Sequence, residues 1–347
     1  MSLQVKDLTI SYGSNVVLKD INFTIQDNTI IGLVAPNGTG KTTLFNAIIR
    51  FIPINKGQII VDGKVYKNTT RDVRALHKLV TFFPDQAELY EDFTGVEHIQ
   101  MYRDIWNPEE RDVQKIIDRL NMDGYVRDKV KTYSLGMRQR LCFAMMIAAN
   151  TKIMFMDEIM NGLDPVNVEL VSRVLQEIKE EGKIIIVASH LLGNLDDYSD
   201  EIYFLNNKDV YFSYDRKTNT REFIKGYVSK DKLEALQPLP ADTLYLETDR
   251  ICIPLDGFER DYDRFEVVEL LRNLSDEEVS IGVLGTQEHY LRIYKGEQSL
   301  EPDTSDGEGG QTDEDDETVT GYTAEESGTR KSRRREETSV ADSDTRF

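Results

Sequence analysis

Short apolar runs without polar interruption recur in the first two thirds of the chain and predict buried strands. Three of these runs, Thr29–Val34, Lys152–Met156 and Lys183–Ala188, each end directly before polar or Gly-containing residues. The first is followed by a Gly-rich turn and then by Leu44–Arg50, which we expect to be helical. This order of buried strand, turn and helix predicts an α/β fold.

The hydrophobic pattern changes along the chain and predicts separate domains. Helical spacing dominates Val96–Ile105, Pro108–Leu120 and Met137–Asn150. After residue 215 the pattern predicts a small α+β unit, with strands at Thr243–Glu247, Ile251–Pro254 and Val279–Leu284 and a helix at Arg264–Asn273. We therefore predict three parts: residues 1–215 with a helical subdomain at about 87–150, an accessory domain at 216–296, and a tail at 297–347.

The Gly-rich turn, Ala35-Pro-Asn-Gly-Thr-Gly-Lys-Thr-Thr43, has the chemistry of a phosphate-binding loop. Gly38 and Gly40 lack a Cβ, so the backbone can curl tightly around an anion. The N–H groups and dipole of the following helix favour negative charge. Lys41 can contact the β- and γ-phosphates, and the Thr42 hydroxyl can bind Mg²⁺. An ordinary strand-to-helix turn is the alternative for this segment taken alone.

The other two strand ends carry acid–base groups. Asp157 and Glu158 follow the second run, at the edge of the sheet where α/β proteins bind ligands. Asp157 is suited to hold Mg²⁺ through water, and Glu158 to orient or deprotonate an attacking water. His190 follows the third run, where it could donate a hydrogen bond to a γ-phosphate.

With the segment Tyr133-Ser-Leu-Gly-Met137, these motifs resemble in type and order the nucleotide-binding subunit of ATP-binding cassette (ABC) transporters, over roughly residues 1–215. The resemblance implies the P-loop ABC ATPase fold and hydrolysis of ATP with Mg²⁺. It places Tyr12 against adenine. It also assigns contacts with the chain's own ATP to Asn37, Gly38, Thr39, Gly40, Lys41, Thr42 and Thr43. The ATP of an opposing subunit would be contacted by Ser134 and Gly136 of the segment Tyr133–Met137, the signature loop of the family, and by Asp164 of the Gly-Leu-Asp-Pro loop.

Three positions depart from the family pattern. Ala35 stands where the loop usually begins with glycine, and Leu135 replaces a signature glycine. A leucine would weaken the signature contact if the backbone there needed a positive φ. The family also has a glutamine or glutamate after a proline that contacts the metal; Asp85 occupies this position by register, and Gln86 is the alternative.

Bland alternatives also apply to two of these segments. Ser134 and Asp164 can simply cap the helices that follow them. The basic run Arg138-Gln-Arg140 can be a solvated helix face.

The resemblance further implies an assembly at a membrane. Two such domains would close head to tail around two ATP molecules, as a homodimer or, given Leu135, a heterodimer. Separate permease subunits would hold the protein at the cytoplasmic face of the membrane. The segment Leu89-Tyr-Glu-Asp-Phe-Thr94 and the stretch Leu291–Tyr294 look most like the exporter branch that moves drugs, antimicrobial peptides or lipid-like molecules.

Composition restricts the possible partners. The chain has 347 residues and a formal net charge of −20, which disfavours nucleic acid as a partner. We expect no signal peptide and no membrane-spanning segment. Cys142 and Cys252 lie in apolar segments and are expected to be reduced core thiols. Residues 297–347 contain 16 acidic and 6 basic residues and few apolar ones, so we expect a disordered tail.

Two other functions remain open from the sequence. The first is a soluble ABC ATPase that remodels a macromolecular complex, although such proteins usually have paired cassettes or a coiled-coil insertion. The second is an ATP-gated interaction module with little turnover.

Overall fold

The structure is a computed structural model that describes residues 1–109, 112–189, 192–206, 209–258, 261–275 and 277–297. Its strands are, in chain order, β1 Ser2–Tyr12, β2 Asn15–Gln26, β3 Thr29–Val34, β4 Lys56–Val61, β5 Lys64–Tyr66, β6 Val80–Phe82, β7 Ile153–Asp157, β8 Ile184–Ala188, β9 Glu201–Asn206, β10 Asp209–Asp215, β11 Glu222–Tyr227, β12 Leu244–Leu246, β13 Arg250–Pro254 and β14 Ser280–Val283. Its helices are α1 Lys41–Ile48, α2 Thr70–His77, α3 Gly95–Trp106, α4 Gln114–Arg119, α5 Leu135–Ala149, α6 Pro165–Lys179, α7 Leu192–Tyr198, α8 Asp261–Leu274 and α9 Thr286–Tyr294.

A mostly parallel sheet forms the centre of the first 215 residues, in the order β10-β9-β3-β8-β7-β6. Only β10 runs antiparallel to its neighbour. The three runs predicted to be strands are β3, β7 and β8, and their carboxyl ends share one edge of the sheet. This arrangement brings the three predicted motifs to the same edge.

Alternate residues of the central strands enter two different apolar clusters, as the period of two requires. The first cluster, shared with α5, α6 and α7, includes Ile30, Val34, Met154, Met156, Ile185 and Val187. The second, shared with α1 and the antiparallel sheet β2-β1-β4-β5, includes Ile31, Leu33, Ile153, Phe155, Ile184 and Ile186. Layers cover both faces of the sheet, which explains why its strands read as unbroken apolar runs.

Helices α3, α4 and α5 all lie within residues 87–150, the region predicted to be a helical subdomain. The predicted helix at Pro108–Leu120 was too long, because Asp112 and Val113 are not helical. The Asp112 carboxylate accepts a hydrogen bond from the Gln114 N–H at 2.8 Å, so it caps the start of α4 instead of continuing a helix.

A second antiparallel sheet, in the order β12-β13-β11-β14, lies between residues 222 and 283 and packs against α8. The hydrophobic pattern predicted β12, β13, β14 and α8, but it missed β11, which pairs with both β13 and β14. The pattern was weak there because Lys225 and Gly226 interrupt the apolar residues of the strand.

Helix α9 packs against elements of the first 215 residues. The Thr286 N–H and hydroxyl donate to the Asp196 carboxylate on α7, at 2.9 and 2.7 Å. At the other end of α9, the Tyr294 hydroxyl lies 2.8 Å from the Leu205 carbonyl and 3.2 Å from the Val34 carbonyl. The end of the described chain is thereby tied to strands β3 and β9.

The two cysteines are buried and unbonded to each other, which confirms the prediction of reduced core thiols. Burial raises the pKa of both the Cys142 and the Cys252 thiol to about 12, so both are inert as nucleophiles. Within the described ranges, no helix combines the length and the apolarity needed to cross a membrane. The tail prediction falls outside the described residues from position 298 onward.

Candidate functional site

The turn between β3 and α1 is shaped by two glycines in the left-handed region, Gly38 with φ 79° and Gly40 with φ 108°. A Cβ at Gly40 would also lie 3.0 Å from Leu18 Cδ2 and 3.2 Å from Val17 Cγ1, on the β2 strand beside it. Gly40 is therefore required both for backbone conformation and for space. The backbone curls as the sequence predicts for a phosphate-binding turn.

The turn leads directly into the amino end of α1. The first bond of the helix runs from the Leu44 N–H to the Gly40 carbonyl at 2.8 Å. Before it, the Thr39 hydroxyl donates to the Pro36 carbonyl at 2.7 Å and holds the turn closed. The N–H groups of the first helical turn are therefore presented at the loop, where a helix terminus attracts anions.

A cavity of about 490 Å³ joins this turn to the end of β7. Its size suits a small-molecule ligand. Its lining combines the groups that the sequence analysis assigned to phosphate, metal and water: Val17, Pro36, Asn37, Gly38, Gly40, Lys41, Thr42, Thr43, Asp157, Glu158 and Asn161. Parts of the chain more than a hundred residues apart therefore form one site.

Glu158, at the end of β7, has a left-handed backbone with φ 55°. For a residue other than glycine, such a conformation costs about 1–3 kcal/mol and must be held by its surroundings. Its N–H donates to the Ala188 carbonyl at the end of β8, at 2.9 Å. Its carbonyl accepts from the Asn161 N–H at 3.1 Å and from Gln139 Nε2 at 3.0 Å. Three bonds thus fix the backbone from which the Glu158 carboxylate projects.

The oxygen groups of the cavity fit Mg²⁺. Thr42 contributes a hydroxyl and Asp157 a carboxylate, both ligands that this ion prefers. Gln86 Oε1 is buried and has no hydrogen-bond partner among the described residues, although Gln86 does not line the cavity. The described residues include no cluster of three or more His, Cys, Asp or Glu that could hold a metal ion.

The structure distinguishes Asp85 from Gln86. The exposed Asp85 carboxylate accepts from the Ala87 N–H at 2.9 Å and caps its own short turn. The Gln86 amide instead donates to Gln139 Oε1, and Gln139 Nε2 donates to the Glu158 and Ile159 carbonyls, at 3.0 and 2.7 Å. Gln86, the alternative, is the residue connected to the Glu158 loop, but neither Asp85 nor Gln86 lines the cavity, so the choice of metal-contacting residue stays a prediction.

Ser134 caps α5, accepting from the Met137 N–H at 3.3 Å. Leu135 and Gly136 form the first turn of α5, so neither needs a positive φ, and the leucine causes no backbone strain there. The Leu135 side chain is 58% exposed and covers Gly162, where a Cβ would lie 2.4 Å from Leu135 Cδ2. The signature loop therefore contacts the Gly-Leu-Asp-Pro loop of the same chain.

Asp164 caps α6, accepting from the Asn167 N–H at 2.9 Å. This backbone hydrogen bond lowers the pKa of the Asp164 carboxyl, so it is ionised at neutral pH. The capping alternatives for Ser134 and Asp164 are both confirmed as geometry, and both residues remain exposed at the surface.

The remaining predicted positions lie around the cavity or outside the described residues. Tyr12, at the end of β1, is 55% exposed and pairs with Asn15 across the hairpin that leads to Val17. Ala35 is buried with a negative φ, so its methyl group is accommodated in an apolar cluster. His190 lies outside the described residues.

Gln139 was missed by the sequence analysis. The run Arg138-Gln-Arg140 was interpreted as a possible solvated face, but Gln139 is 3% exposed, and Arg138 Nη2 donates to Glu91 Oε1 at 2.9 Å. The solvated interpretation was wrong because the helix buries this side. The signal was available: Gln139 lies three residues before Cys142 and seven before Met146, on the apolar stripe of α5.

Comparison with known proteins supports the assignment that this geometry suggests. A family model described as "ABC transporter" matches residues 18–161. The uncharacterised ABC transporter ATP-binding protein YdbJ of Bacillus subtilis (strain 168) is 32% identical over 211 residues, covering 60% of this chain and 67% of that protein. The lantibiotic transport ATP-binding protein SrtF of Streptococcus pyogenes is 25% identical over 232 residues, covering 66% of this chain and 99% of SrtF.

Solved structures share the fold. An ATP-binding subunit of an ABC transporter superposes with a TM-score of 0.57 at 23% identity, covering 62% of this chain and 91% of that one. A bacterial Atm1-family ABC exporter with ATP bound gives a TM-score of 0.55 at 21% identity, covering 62% of this chain and 39% of that one. The predicted ABC ATPase fold is therefore confirmed. The chain belongs to the ABC transporter ATP-binding proteins, the family of ATPases that hydrolyse ATP to power transport.

Proposed function

We propose that this chain is the ATP-hydrolysing subunit of an ABC exporter and works as a head-to-tail pair of subunits bound to separate permease subunits. One observation carries the proposal. A single cavity joins the phosphate-binding turn that contains Lys41 and Thr42 to the strand end that contains Asp157 and Glu158. Phosphoryl transfer to water requires these two sets of groups to meet.

Each group of the cavity has a defined task in this proposal. The turn N–H groups and Lys41 bind the phosphates and orient the γ-phosphate for in-line attack. Thr42 and Asp157 would hold Mg²⁺, with Asp85 or, alternatively, Gln86 as a further contact. The ion, when bound, neutralises charge that develops on the phosphate oxygens. Asn37, Gly38, Thr39, Gly40 and Thr43 complete the phosphate contacts.

Glu158 acts on the attacking water. Its carboxylate accepts the proton of the water as the oxygen approaches phosphorus, the task of a general base. The fixed backbone at Glu158 matters because the carboxylate must project from the end of β7 toward the cavity. His190 follows β8, and we propose that it donates a hydrogen bond to the γ-phosphate. Tyr12 stacks on the adenine.

The second half of each site comes from the opposing subunit. Ser134 and Asp164 are exposed caps of α5 and α6, and Gly136 is partly exposed in the first turn of α5; none of the three lines the chain's own cavity. A second copy placed head to tail would present them to the ATP of the first. A homodimer is the simpler arrangement, and a heterodimer is the alternative because Leu135 alters the signature surface. Closure upon ATP and separation after hydrolysis would drive the permease.

Export of a peptide, drug or lipid-like molecule is the proposed direction and substrate class. The support is the similarity to SrtF, whose name records lantibiotic transport. In this proposal residues 1–215 form the nucleotide-binding domain, residues 216–296 an accessory domain, and residues 297–347 a tail. The protein is then peripheral to a membrane, held at its cytoplasmic face by the permease.

The test uses the full chain with Glu158→Gln, which should bind ATP without hydrolysing it and so trap the closed pair. Membranes from cells that express the variant are extracted in mild detergent with ATP and Mg²⁺ present. Lys41→Ala is the matched control, because it removes the phosphate contact and should trap nothing. We expect the Glu158→Gln chain to co-purify with a stoichiometric multi-span protein.

Two other outcomes would overturn the transporter proposal. Recovery of a stoichiometric soluble partner would favour the remodelling ATPase, and ATP binding without turnover by the unmodified chain would favour the gated interaction module. Size measurement with ATP then separates a homodimer from a heterodimer, since only a homodimer forms from the purified chain alone.

A further inference from the structure

We propose that Gln139 is a positioning residue for ATP hydrolysis: its side chain connects the Gln86 turn to the backbone of Glu158. Catalysis then depends on the position of α5 relative to β7. The inference rests on the proposed function, because it concerns the same site. It assigns Gln139 no contact with ATP, metal or water, and its action is through Glu158.

Gln139 makes hydrogen bonds to Gln86 and to the carbonyls of Glu158 and Ile159, a set of contacts that we call the bridge. Gln139 is 3% exposed and lies on α5, the helix that begins at the signature loop. Its Nε2 donates to two successive carbonyls, 3.0 Å to Glu158 and 2.7 Å to Ile159. Its Oε1 accepts from the Gln86 amide. One side chain therefore links three segments that are distant in sequence.

The chemistry of the partners fixes the orientation of both amides. Backbone carbonyls only accept hydrogen bonds, so Gln139 must turn its nitrogen toward Glu158 and Ile159. Its oxygen then faces Gln86, which must offer its own nitrogen. This orientation leaves Gln86 Oε1 as the buried acceptor without a partner among the described residues. The bridge thus also sets which atom Gln86 presents.

The backbone of Glu158 needs such support. Its left-handed φ of 55° is unfavourable for a residue with a Cβ and persists only where bonds hold it. The bond from Ala188 restrains the N–H side, and Gln139 with Asn161 restrains the carbonyl side. Loss of the Gln139 amide would remove one of the two donors to the Glu158 carbonyl and the side-chain donor to the buried Ile159 carbonyl. The loop could relax and misdirect the carboxylate.

The bridge makes turnover conditional on the helical region. Gln86 lies in the short turn between β6 and α3, and Gln139 lies near the start of α5. A displacement of either element relative to β7 would break the bonds to Glu158 while leaving the phosphate-binding turn intact. ATP binding and ATP hydrolysis are therefore separable in this chain: the first depends on the turn, the second also on the bridge.

The experiment compares Gln139→Met, which keeps the side-chain length but removes the amide, with Gln86→Met and with both changes together. The matched control is Gln176→Met, which removes a partly buried glutamine of α6 that donates to the Tyr198 carbonyl. For each full-length variant, kcat, KM and the Kd of a fluorescent ATP analogue are measured, with kcat expressed per nucleotide-binding site.

We expect kcat of Gln139→Met to fall about tenfold, with KM and Kd within about twofold of the unmodified chain. The double variant should be about as slow as the slower single variant, because both changes break the same bridge. Gln176→Met should keep its kcat. An unchanged kcat in Gln139→Met, or losses that multiply in the double variant, would overturn the inference.

Amide hydrogen exchange tests the bridge independently of ATPase activity. Amides of residues 158–163 should exchange faster in Gln139→Met and in Gln86→Met than in the unmodified chain, in the absence of nucleotide. Gln86 lies on a partly exposed turn, so Gln86→Met tests the bridge even if Gln139→Met folds poorly. If the unmodified chain does not hydrolyse ATP, the proposed function fails, whereas unchanged exchange in these variants refutes the bridge itself.

Discussion

The nucleotide site and the C-terminal sheet use polar side chains in opposite ways. At the site, Lys41 and Thr42 at the start of α1 and Asp157 and Glu158 at the end of β7 line one cavity. In the C-terminal sheet, the buried charge is paired within the protein: Glu288 is 5% exposed and bonds to Arg250 Nη2 at 2.7 Å, with Lys225 Nζ at 3.4 Å. Charges that face a cavity can bind a ligand, and charges that pair with each other hold elements together.

This difference explains why the sequence predicted the binding groups of the first region but not the ion pairs of the second. Binding groups in the first region follow fixed spacings in short loops, because a phosphate imposes the same geometry wherever it is bound. The partners of Glu288 lie 38 and 63 residues before it and follow no local spacing. Sequence patterns therefore identify a site more readily than they identify a structural ion pair.

The largest expected effect tests the catalytic side of the comparison. Glu158→Gln removes the proton acceptor but keeps the size of the side chain, so ATP turnover should fall about a thousandfold. The Kd of an ATP analogue should stay within about threefold, because the phosphate contacts are made by the turn. Steady-state ATPase assays and nucleotide titration measure the two effects.

Glu169→Gln is the control for that experiment. Glu169 is exposed on α6, so the same chemical change there should leave turnover unaffected. Turnover that persists in Glu158→Gln would remove Glu158 from the catalytic role, and the cavity would lose its proposed general base.

A second experiment tests the structural side. Glu288→Ala leaves Arg250 and Lys225 buried without their carboxylate and opens the start of α9, where Glu288 also accepts from the Gly285 N–H at 2.8 Å. We expect a loss of about 4 kcal/mol in the free energy of unfolding, measured by chemical denaturation. ATP affinity of the folded variant should be unchanged.

Glu247→Ala is the matched control. Glu247 pairs with Lys295 at 3.3 Å, but both side chains are nearly half exposed, so the loss should be below about 1 kcal/mol. Equal losses in the two variants would mean that burial does not distinguish these ion pairs, and the contrast between the two regions would lose its energetic basis.

A third experiment uses pH to test the packing of α9 against β10. The His289 ring is 8% exposed and packs 4.6 Å from the Tyr214 ring. Burial, with the nearby Arg292 charge, lowers the pKa of His289 from 6.5 to about 4, although Glu288 and Asp196 act in the opposite direction. The folded chain therefore keeps this imidazole neutral in a range where the unfolded chain protonates it.

The sign follows from proton uptake. Between pH 6.5 and about 4 the unfolded state binds one more proton than the folded state, so stability should fall as the pH is lowered through this window. The loss attributable to His289 should approach about 3 kcal/mol at the lower end. His289→Phe should abolish that part of the pH dependence. An equally steep decline in His289→Phe would assign the effect to other groups.

The sequence predicted the fold and most of the cavity because both depend on local patterns. The apolar runs located β3, β7 and β8, and their common edge placed Asp157 near Lys41. The sequence alone could not decide whether Asp85 or Gln86 is the metal-contacting residue. The two are adjacent, and the course of the backbone decides which side chain faces Gln139. Gln139 was missed because its role depends on carbonyls of a loop twenty residues away.

The smallest expected effect concerns the contact between Leu135 of the signature loop and Gly162 of the Gly-Leu-Asp-Pro loop. Gly162 has a positive φ of 75°, and a Cβ there would meet Leu135 Cδ2 at 2.4 Å. Gly162→Ala should therefore cost about 2 kcal/mol in the free energy of unfolding, partly from the left-handed backbone and partly from the displaced leucine. Gly124→Ala, at a glycine with open space and no positive φ, should not destabilise the chain and should stabilise it by up to about 1 kcal/mol.

The double variant Leu135→Gly with Gly162→Ala separates the two contributions and tests what the leucine does. With glycine at position 135 the steric contact is absent, but the cost of the left-handed backbone remains. Gly162→Ala should therefore destabilise the Leu135→Gly chain less than it destabilises the unmodified chain. Denaturation of the four chains of this cycle measures the coupling between the signature loop and the Gly-Leu-Asp-Pro loop. A coupling of zero would mean that Leu135 does not restrain Gly162. In that case its exposed side chain would act only on what meets that surface, such as the opposing subunit.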